Sequence, residues 1–147
     1  MDIKPENFVF VNGTLKMIDL GLALCLPEDE DFLEAELVYG TNLFMAPECF
    51  TSRKVLGEEG KPLYLTTLTL QADIWSAGVL LLQMLPIKEA RPDPTMPMGF
   101  IKNKILLEEN LLQETMAVLS LCLEKNPAAR PGVAELKKSS FDFSSST

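Results

Sequence analysis

Four polar side chains near the start of the chain have types that can move a proton, neutralise negative charge and bind a metal ion. Asp2, Lys4 and Asn7 lie within six consecutive residues, and Asp19 follows further along the chain. A carboxylate can accept the proton of a hydroxyl, and a lysine can neutralise charge on a phosphoryl group. Carboxylate and amide oxygens are ligands that Mg²⁺ accepts. The set therefore predicts an acid/base group, a cation and a metal site presented together.

A β-hairpin is predicted between the two parts of this set. The run 8–11 is rich in valine and phenylalanine, and Asn12-Gly13 is the dipeptide best suited to a type I′ turn. Residues 14–18 then form the returning strand. The hairpin brings Asp19 back towards Asn7, so that both side chains can reach one metal site.

The rest of the chain is predicted to be loops and helices. Residues 19–48 have neither helical nor strand periodicity, and residues 52–70 mix charge, glycine and proline, which is typical of a surface loop. Residues 72–85 are apolar on nearly all sides, which predicts a helix that is buried all round. Two more helices are predicted, from a cap at Asn110 to about residue 124 and from Pro131 to about residue 138.

Composition narrows the functional classes. The chain has 147 residues, a net charge of −8, three cysteines and no histidine. The acidic balance argues against nucleic acid and against a polybasic membrane anchor. It suits basic partners, and it is equally compatible with simple solubility. The cysteines lack metal-ligand spacing, and together with the absence of a signal peptide they favour a cytoplasmic or nuclear protein.

Three further motifs follow in the chain, each of them weak alone. Thr41 lies in a run that ends in Ala-Pro-Glu at Glu48, Asp73 stands at the start of the buried helix, and Arg130 lies between two prolines. By itself Asp73 could be a helix cap, Arg130 a solvated charge and the tripeptide that starts at Asp19 a turn. Their fixed order, with the hairpin between the first two motifs, is much more specific than any one of them.

Taken in this order, the motifs resemble those of the eukaryotic protein kinase family over essentially the whole chain. The resemblance implies a mainly α fold, the C-terminal lobe of a kinase, with one β-hairpin, an activation segment, a helical bundle and no N-lobe. It implies a partial kinase domain over residues 1–138 and a flexible tail over residues 139–147.

The resemblance also implies a role for each site residue. Asp2 is expected to be the catalytic base, with Lys4 as its partner facing the phosphate. Asn7 and Asp19 are expected to bind Mg²⁺, and Lys4, Asn7 and Asp19 to contact Mg·ATP. Thr41 is expected to bond Asp2 and Lys4 from the substrate-docking loop.

Structural roles follow from the same resemblance. Gly21 is expected to let the chain turn sharply, and Glu48 and Arg130 to form a buried ion pair. Asp73 is expected to fix the backbone of the catalytic loop. The Asp-x-Lys-Pro pattern implies serine/threonine specificity, and residues 7–19 look most like the monopolar-spindle dual-specificity kinases, as does the long stretch between Glu48 and Asp73.

The chain departs from the family pattern in several places. Met1 stands where the family has an arginine that reads a phosphate on the activation segment. Residues 22–38 contain no serine or threonine, and the acidic run 28–31 either replaces a phosphate or is a solvated loop. The sequence contains no glycine-rich loop, no strand lysine, no partner glutamate and no adenine-binding hinge.

These departures leave two readings of function open. The leading one is a protein kinase, with ATP and a protein as substrates, present as a fragment that is unlikely to catalyse alone. The alternative is a non-catalytic, kinase-derived interaction module, or a pseudokinase that needs a separate N-lobe chain. An uncovered face of helix 72–85 would make the chain marginally stable. A protein partner covering the exposed C-lobe core is therefore expected.

Overall fold

A computed structural model of the protein describes residues 2–87, 93–96, 98–105 and 107–138. Five strands and four α-helices are present in these ranges, together with short 3₁₀ turns. They are β1 Phe8–Val11, β2 Thr14–Met17, β3 Phe32–Ala35, β4 Arg53–Leu56, β5 Pro62–Thr69, α1 Gln71–Met84, α2 Met98–Lys102, α3 Glu109–Cys122 and α4 Val133–Lys138.

The predicted hairpin is confirmed. Strands β1 and β2 pair antiparallel, with Phe8 opposite Met17 and Val11 opposite Thr14. Asn12 and Gly13 have φ angles of 51° and 77°, the positive values that a type I′ turn needs at both central positions. The local chemistry of the turn was sufficient to predict the hairpin.

The predicted mainly α fold with a single hairpin is wrong, because the chain has a second, three-stranded sheet. Its order is β3-β5-β4, and both pairings are antiparallel. Strands β4 and β5 lie where a surface loop was expected. Glycine, proline and charge around residues 57–62 suggested that loop, but threonine, tyrosine and leucine over 63–69 favour extended structure. The architecture is mixed, with two sheets beside the helices.

Residues 19–48 were expected to be irregular throughout, and strand β3 corrects that expectation. Phe32 lies opposite Thr69 and Ala35 opposite Thr66, so β3 forms by pairing with a strand far along the chain. Its sequence, Phe-Leu-Glu-Ala, has too few residues to show a period. The partner strand, rather than local pattern, determines this element.

Helix α1 lies at the centre of the core, as its apolar sequence predicted. Trp75 and Val79 are almost fully buried, and Leu119 of α3 is completely so. Gly78 allows the two helices to approach closely, since a Cβ built there would lie 2.7 Å from the Cβ of Cys122. Polar Ser76 is also buried within this mostly apolar helix.

Helix ends differ from those predicted. Helix α3 begins at Glu109, so Asn110 lies inside it and is not its cap. Helix α4 begins at Val133, where the backbone N–H of Gly132 donates to the Glu135 carboxylate at 2.8 Å. Pro131 therefore precedes the helix instead of forming its first turn. The predicted tail 139–147 lies outside the described residues.

The sequence predicted exposed apolar surface on α1, but much of this surface among the described residues lies on and after the hairpin. Most of α1 is covered, with Met84 and Ala77 among its few exposed residues. Large apolar side chains are exposed on both faces of the hairpin and on the residues after it, and this surface is here called the hairpin surface. Its members are Val9, Phe10, Val11, Leu15, Met17, Ile18, Leu20, Leu22 and Leu24.

The three cysteines are free thiols. Cys25 is exposed, while Cys49 and Cys122 are buried, and burial raises the pKa of both buried thiols. Within the described residues, no helix is long and apolar enough to cross a membrane.

Candidate active site

A carboxylate, an ammonium group and a hydroxyl meet where the chain begins. Lys4 Nζ lies 2.5 Å from Asp2 Oδ2 and donates a hydrogen bond of 3.1 Å to Thr41 Oγ1. The Thr41 hydroxyl and backbone N–H both donate to Asp2 Oδ1, at 2.9 and 3.0 Å. Each of the three residues therefore contacts the other two. The arrangement fixes the direction of the Asp2 carboxylate from two sides.

This arrangement keeps Asp2 ionised. The hydrogen bond from Lys4, helped by the two from Thr41, lowers the pKa of Asp2 to about 2 against the opposing effect of burial. The Asp2 carboxylate in turn raises the pKa of Lys4. Both groups therefore remain charged near neutral pH.

Asn7 is buried beside this cluster and has a fixed orientation. Its amide nitrogen donates to the backbone oxygen of Asp2 at 2.7 Å and to Asp2 Oδ2 at 3.3 Å. The Asn7 backbone oxygen accepts from the N–H of Ile18 at 3.0 Å, which closes the open end of the hairpin. Because the nitrogen is engaged, the side-chain oxygen of Asn7 is left to bind a ligand.

Asp19 follows the hairpin and lines the same cavity as Asp2 and Asn7. The cavity has a volume of about 360 Å³, and Leu20 and Ala23 lie on its wall. The backbone N–H of Gly21 donates to Asp19 Oδ1 at 2.7 Å, so one carboxylate oxygen is oriented by its own turn. The hairpin thus brings Asp19 to the cavity that Asn7 lines, as the sequence predicted.

Gly21 was expected to allow a sharp turn, but the structure gives another explanation for a glycine at this position. It does not have a positive φ angle, so a sharp left-handed turn is not what requires it. A Cβ at this position would lie 3.1 Å from Asp19 Oδ1. A side chain there would crowd the carboxylate and the hydrogen bond that orients it.

The oxygens of Asn7 and Asp19 suit a magnesium ion that is bound partly by its substrate. No group of three or more histidine, cysteine, aspartate or glutamate side chains in the described parts of the chain could hold a metal alone. Mg²⁺ is usually bound by one or two carboxylates together with waters and substrate phosphates. One amide oxygen and one carboxylate therefore fit that mode of binding.

Asp73 lines the same cavity from the first turn of α1. Burial raises the pKa of its carboxyl group. The cavity is therefore bounded by residues from the start of the chain, from the end of the hairpin and from the central helix.

Glu48 and Arg130 form a separate buried ion pair, as predicted. Arg130 NH1 and NH2 donate to Glu48 Oε1 and Oε2 at 2.6 and 2.7 Å. The remaining donors bind backbone oxygens of Glu124, Gln71 and Lys125. The guanidinium also lies 5.1 Å from the centre of the Trp75 ring. This pair attaches the turn Pro47–Phe50 to α1 and to the chain before α4.

Ser76 was not predicted as a supporting residue. Its hydroxyl donates to the backbone oxygen of Phe44 at 2.7 Å, which attaches the loop after Thr41 to α1. A single buried hydroxyl within an apolar helix was the available signal, because such a group needs a hydrogen-bond partner. The loop of residues 40–46, here called the docking loop, is thus held by Asp2 at one end and by α1 at the other.

A second and larger cavity of about 660 Å³ lies between the docking loop and α1. Its wall includes Leu43, Phe50, Trp75 and Val79, and none of the predicted site residues lines it. The chemistry-bearing side chains lie at the smaller cavity.

Comparison with known proteins agrees with this arrangement. The protein kinase domain family matches residues 1–141. The chain is 31% identical over 147 residues to "Probable serine/threonine-protein kinase mps1" of Dictyostelium discoideum, covering 95% of this chain and 14% of that protein. It is 30% identical over 141 residues to "Dual specificity protein kinase TTK" of Mus musculus, covering 92% and 16%.

A third relative is "Serine/threonine-protein kinase ppk34" of Schizosaccharomyces pombe, which is 36% identical over 146 residues, covering 95% of this chain and 37% of that protein. The chain therefore spans a small part of the length of these relatives. The predicted resemblance to monopolar-spindle kinases is confirmed by relatives of that type. The chain belongs to the protein kinase domain family.

Proposed function

We propose that the complete protein transfers the γ-phosphoryl group of Mg·ATP to a serine or threonine hydroxyl of a protein substrate. The observation that carries this proposal is the Asp2 carboxylate held between Lys4 and Thr41. It lies on the wall of a cavity that Asn7 and Asp19 also line. A base, a cation and metal-binding oxygens are thereby available to one bound phosphate.

Asp2 is proposed to accept the proton of the substrate hydroxyl and to orient that hydroxyl. A carboxylate with a pKa of about 2 is a weak base near neutral pH. Phosphoryl transfer passes through a loose transition state in most analyses, so the proton can leave late and orientation contributes most. The two hydrogen bonds from Thr41 supply that orientation by limiting rotation of the carboxylate.

Lys4 is proposed to stabilise the charge of the transferred phosphoryl group. Its ammonium group is bonded to Asp2 and Thr41, which place it beside the carboxylate that meets the hydroxyl. A fixed cation at this position favours charge that develops on the phosphoryl oxygens and on the leaving oxygen. Lys4 would therefore act with Asp2 as one unit.

Asn7 and Asp19 are proposed to hold Mg²⁺ through side-chain oxygens. The Asn7 amide is oriented by its bonds to Asp2, and the Asp19 carboxylate by the N–H of Gly21. When bound, Mg²⁺ would neutralise charge on the phosphates of ATP. The protein's own contribution is to present two oxygens in a fixed direction.

Serine/threonine or dual specificity is supported by the relatives, which are serine/threonine or dual specificity protein kinases by name. The lysine two residues after Asp2 is the sequence feature that agrees with it. A cytoplasmic or nuclear location remains part of the proposal.

The test is phosphotransfer by the complete protein with Asp2→Asn and Asp19→Asn. We expect Asp2→Asn to lower kcat at least a hundredfold while leaving ATP binding within about threefold, because the carboxylate contacts the hydroxyl rather than the nucleotide. Asp19→Asn should instead raise the Mg²⁺ concentration needed for half-maximal activity. Asp29→Asn, in the exposed acidic run, serves as the matched control. Normal turnover by Asp2→Asn would refute the assignment.

The second candidate is a non-catalytic interaction module, and one observation favours it. The hairpin surface exposes several large apolar side chains, and exposed apolar patches can mark contact surfaces in soluble proteins. A protein partner that covers this surface is compatible with either candidate. The interaction-module hypothesis predicts that Phe10→Asp abolishes partner binding while Asp2→Asn leaves partner binding unchanged.

A further inference from the structure

We propose that strand β5 and an ion pair between Glu34 and Arg53 hold the segment before the docking loop in place, so that the site is assembled without phosphorylation. This inference rests on the proposed kinase function, since it describes how the same site is kept in its working arrangement. It assigns Glu34 and Arg53 as positioning residues, which act through β3 and do not contact substrate.

Most of the segment before the docking loop lacks hydroxyl side chains, which are the groups that phosphorylation modifies. Kinases commonly order this part of the chain by phosphorylating it and pairing the phosphate with arginine. Residues 22–38 contain no serine, threonine or tyrosine. A covalent phosphate therefore cannot be attached to residues 22–38, and the nearest hydroxyl before the docking loop is that of Tyr39, which lies outside β3. The order of β3 is therefore expected to come from contacts of the strand itself.

The acidic run 28–31 does not take the place of a phosphate. All four carboxylates are exposed, and among the described residues none of them forms an ion pair with a lysine or arginine. Exposed carboxylates without a basic partner do not order a loop, because each remains fully solvated. The run is a solvated loop, which was one of the two alternatives that the sequence left open.

Order is supplied instead by β-sheet pairing. All four residues of β3 pair with β5, and β5 is anchored in turn, because its residues Thr66 and Leu68 are almost completely buried. Ala35 and Val38 pack against the main core. The segment is therefore joined to the core by main-chain hydrogen bonds and by apolar contacts.

The ion pair spans the whole sheet. The guanidinium of Arg53 on β4 donates to Glu34 Oε1 on β3. Glu34 lies opposite Thr67, and Arg53 lies opposite Leu65, so the two side chains reach each other across the central strand β5. The pair closes the two outer strands over the middle one. Within the described residues β3 is an edge strand, bonded to β5 alone. The ion pair therefore adds a side-chain link to the main-chain bonds that hold β3.

The consequence for the site follows from chain order. The chain leaves β3 at Ala35 and reaches Thr41, which donates two hydrogen bonds to Asp2. It then enters the turn that Glu48 and Arg130 anchor. The sheet on one side and the buried ion pair on the other therefore fix both ends of the stretch that contains the docking loop.

Charge exchange in the complete protein tests the proposal. Arg53→Glu, Glu34→Arg and the double variant are compared by hydrogen exchange of the amides in residues 32–41. Each single change should raise the exchange rate about two- to fivefold, because an exposed ion pair contributes modestly and like charges repel. The double variant restores opposite charges and should return the rate towards the parental value.

Lys54→Glu is the matched control, since it makes the same change of charge on the neighbouring, exposed position of β4. By strand alternation its side chain points to the opposite face of the sheet. Equal exchange in Arg53→Glu and Lys54→Glu, or a double variant as fast as the single ones, would overturn the role of the ion pair.

Phosphatase treatment tests independence from phosphate. The dephosphorylated protein should keep slow exchange in β3 and, in a kinase assay, should keep its kcat within about twofold. A loss of tenfold or more in either property on dephosphorylation overturns the proposal. Hydrogen exchange needs no catalysis, so a protein that is inactive but protected in β3 would refute the proposed function while supporting this positioning role.

Discussion

Arg130 and Glu48 stand 82 positions apart in the chain, and their side chains meet through two hydrogen bonds of 2.6 and 2.7 Å. The Arg130 side chain has no solvent exposure, and that of Glu48 has 15%. A buried guanidinium without its carboxylate would be an uncompensated charge in a medium of low polarity. The pair is therefore necessary to the fold once Arg130 is present.

We expect Glu48→Ala to lower the free energy of unfolding by about 3–5 kcal/mol, the range found when one member of a buried pair is removed. The backbone oxygens around Arg130 remain, but they do not carry the negative charge that Glu48 supplies. Denaturant unfolding of the complete protein measures this difference. The transition midpoint should fall while the dependence of the unfolding free energy on denaturant concentration stays the same.

Lys102→Met is the control for that experiment. Lys102 and Glu109 are 3.7 Å apart, and both side chains are substantially exposed. Removing this pair should change the free energy of unfolding by less than about 1 kcal/mol. If Glu48→Ala cost no more than Lys102→Met, the buried pair would not have the importance assigned to it.

An element was predictable from the sequence wherever the residues that determine its structure lie together in one short stretch. The turn at Asn12-Gly13 determines its hairpin, and the apolar content of α1 determines its burial. Strands β3, β4 and β5 were missed because they stabilise one another across distant parts of the chain. A four-residue strand such as Phe32–Ala35 has no local signature that could distinguish it from a loop.

The site was more predictable than the fold, because its residues are specified by chemistry. Asp2, Lys4 and Thr41 meet as the family resemblance implied, and Asp19 reaches the cavity that Asn7 lines. What the sequence could not provide was the support of that site. The bond from Ser76 to Phe44 depends on the packing of α1 against the docking loop, and no spacing rule encodes it.

Gly78 provides a test of helix packing, because helix propensity predicts that Gly78→Ala stabilises the protein and close packing predicts that it destabilises it. Alanine is favoured over glycine inside a helix by about 1 kcal/mol. A Cβ at position 78, however, would lie 2.7 Å from the Cβ of Cys122 and 3.0 Å from Leu123 Cδ2. We expect Gly78→Ala to destabilise the protein by about 1–3 kcal/mol through overpacking, as measured by thermal or denaturant unfolding.

Ala77→Gly on the exposed side of the same helix is the comparison. It should cost about 0.5–1 kcal/mol from helix propensity, since that side chain is exposed. A Gly78→Ala protein that is more stable than the parent would show that α1 and α3 are not in the close contact described.

Thr41 tests whether the carboxylate of Asp2 must be held by a hydroxyl. Thr41→Val keeps the shape of the side chain and the backbone N–H but removes the hydroxyl bonds to Asp2 and from Lys4. A hydrogen bond to a charged group is worth about 1.5–3 kcal/mol, so kcat should fall about 10- to 100-fold. The KM for ATP should change less, because Thr41 contacts Asp2, the proposed acceptor of the hydroxyl proton.

Thr41→Ser retains the hydroxyl and should keep kcat within about threefold. Thr51 is exposed, and Thr51→Val is the control for removing a threonine hydroxyl away from the site. Equal activity of the valine and serine variants at position 41 would mean that the hydroxyl has no part in positioning Asp2.

Lys4 tests the electrostatics of the site through pH. The hydrogen bond from Lys4 is the largest cause that lowers the pKa of Asp2 from its ordinary 3.8 to about 2. A carboxyl group whose pKa is lowered on folding stabilises the protein above pH 3.8, and this stabilisation is lost as the pH falls towards 2. Lys4→Met should raise the pKa of Asp2. The Asp2 carboxylate would then stabilise the variant less, and the variant would lose less stability between pH 3.8 and 2.

Two measurements check this expectation. The side-chain carboxyl ¹³C shift of Asp2 should titrate at a higher pH in Lys4→Met than in the parent. Between pH 5 and pH 2, the loss of unfolding free energy that Asp2 contributes should be smaller in the variant. Lys16→Met removes an equal charge from the exposed hairpin and should leave the Asp2 titration unchanged. An Asp2 titration that is identical in Lys4→Met and the parent would mean that Thr41, and not Lys4, keeps Asp2 ionised.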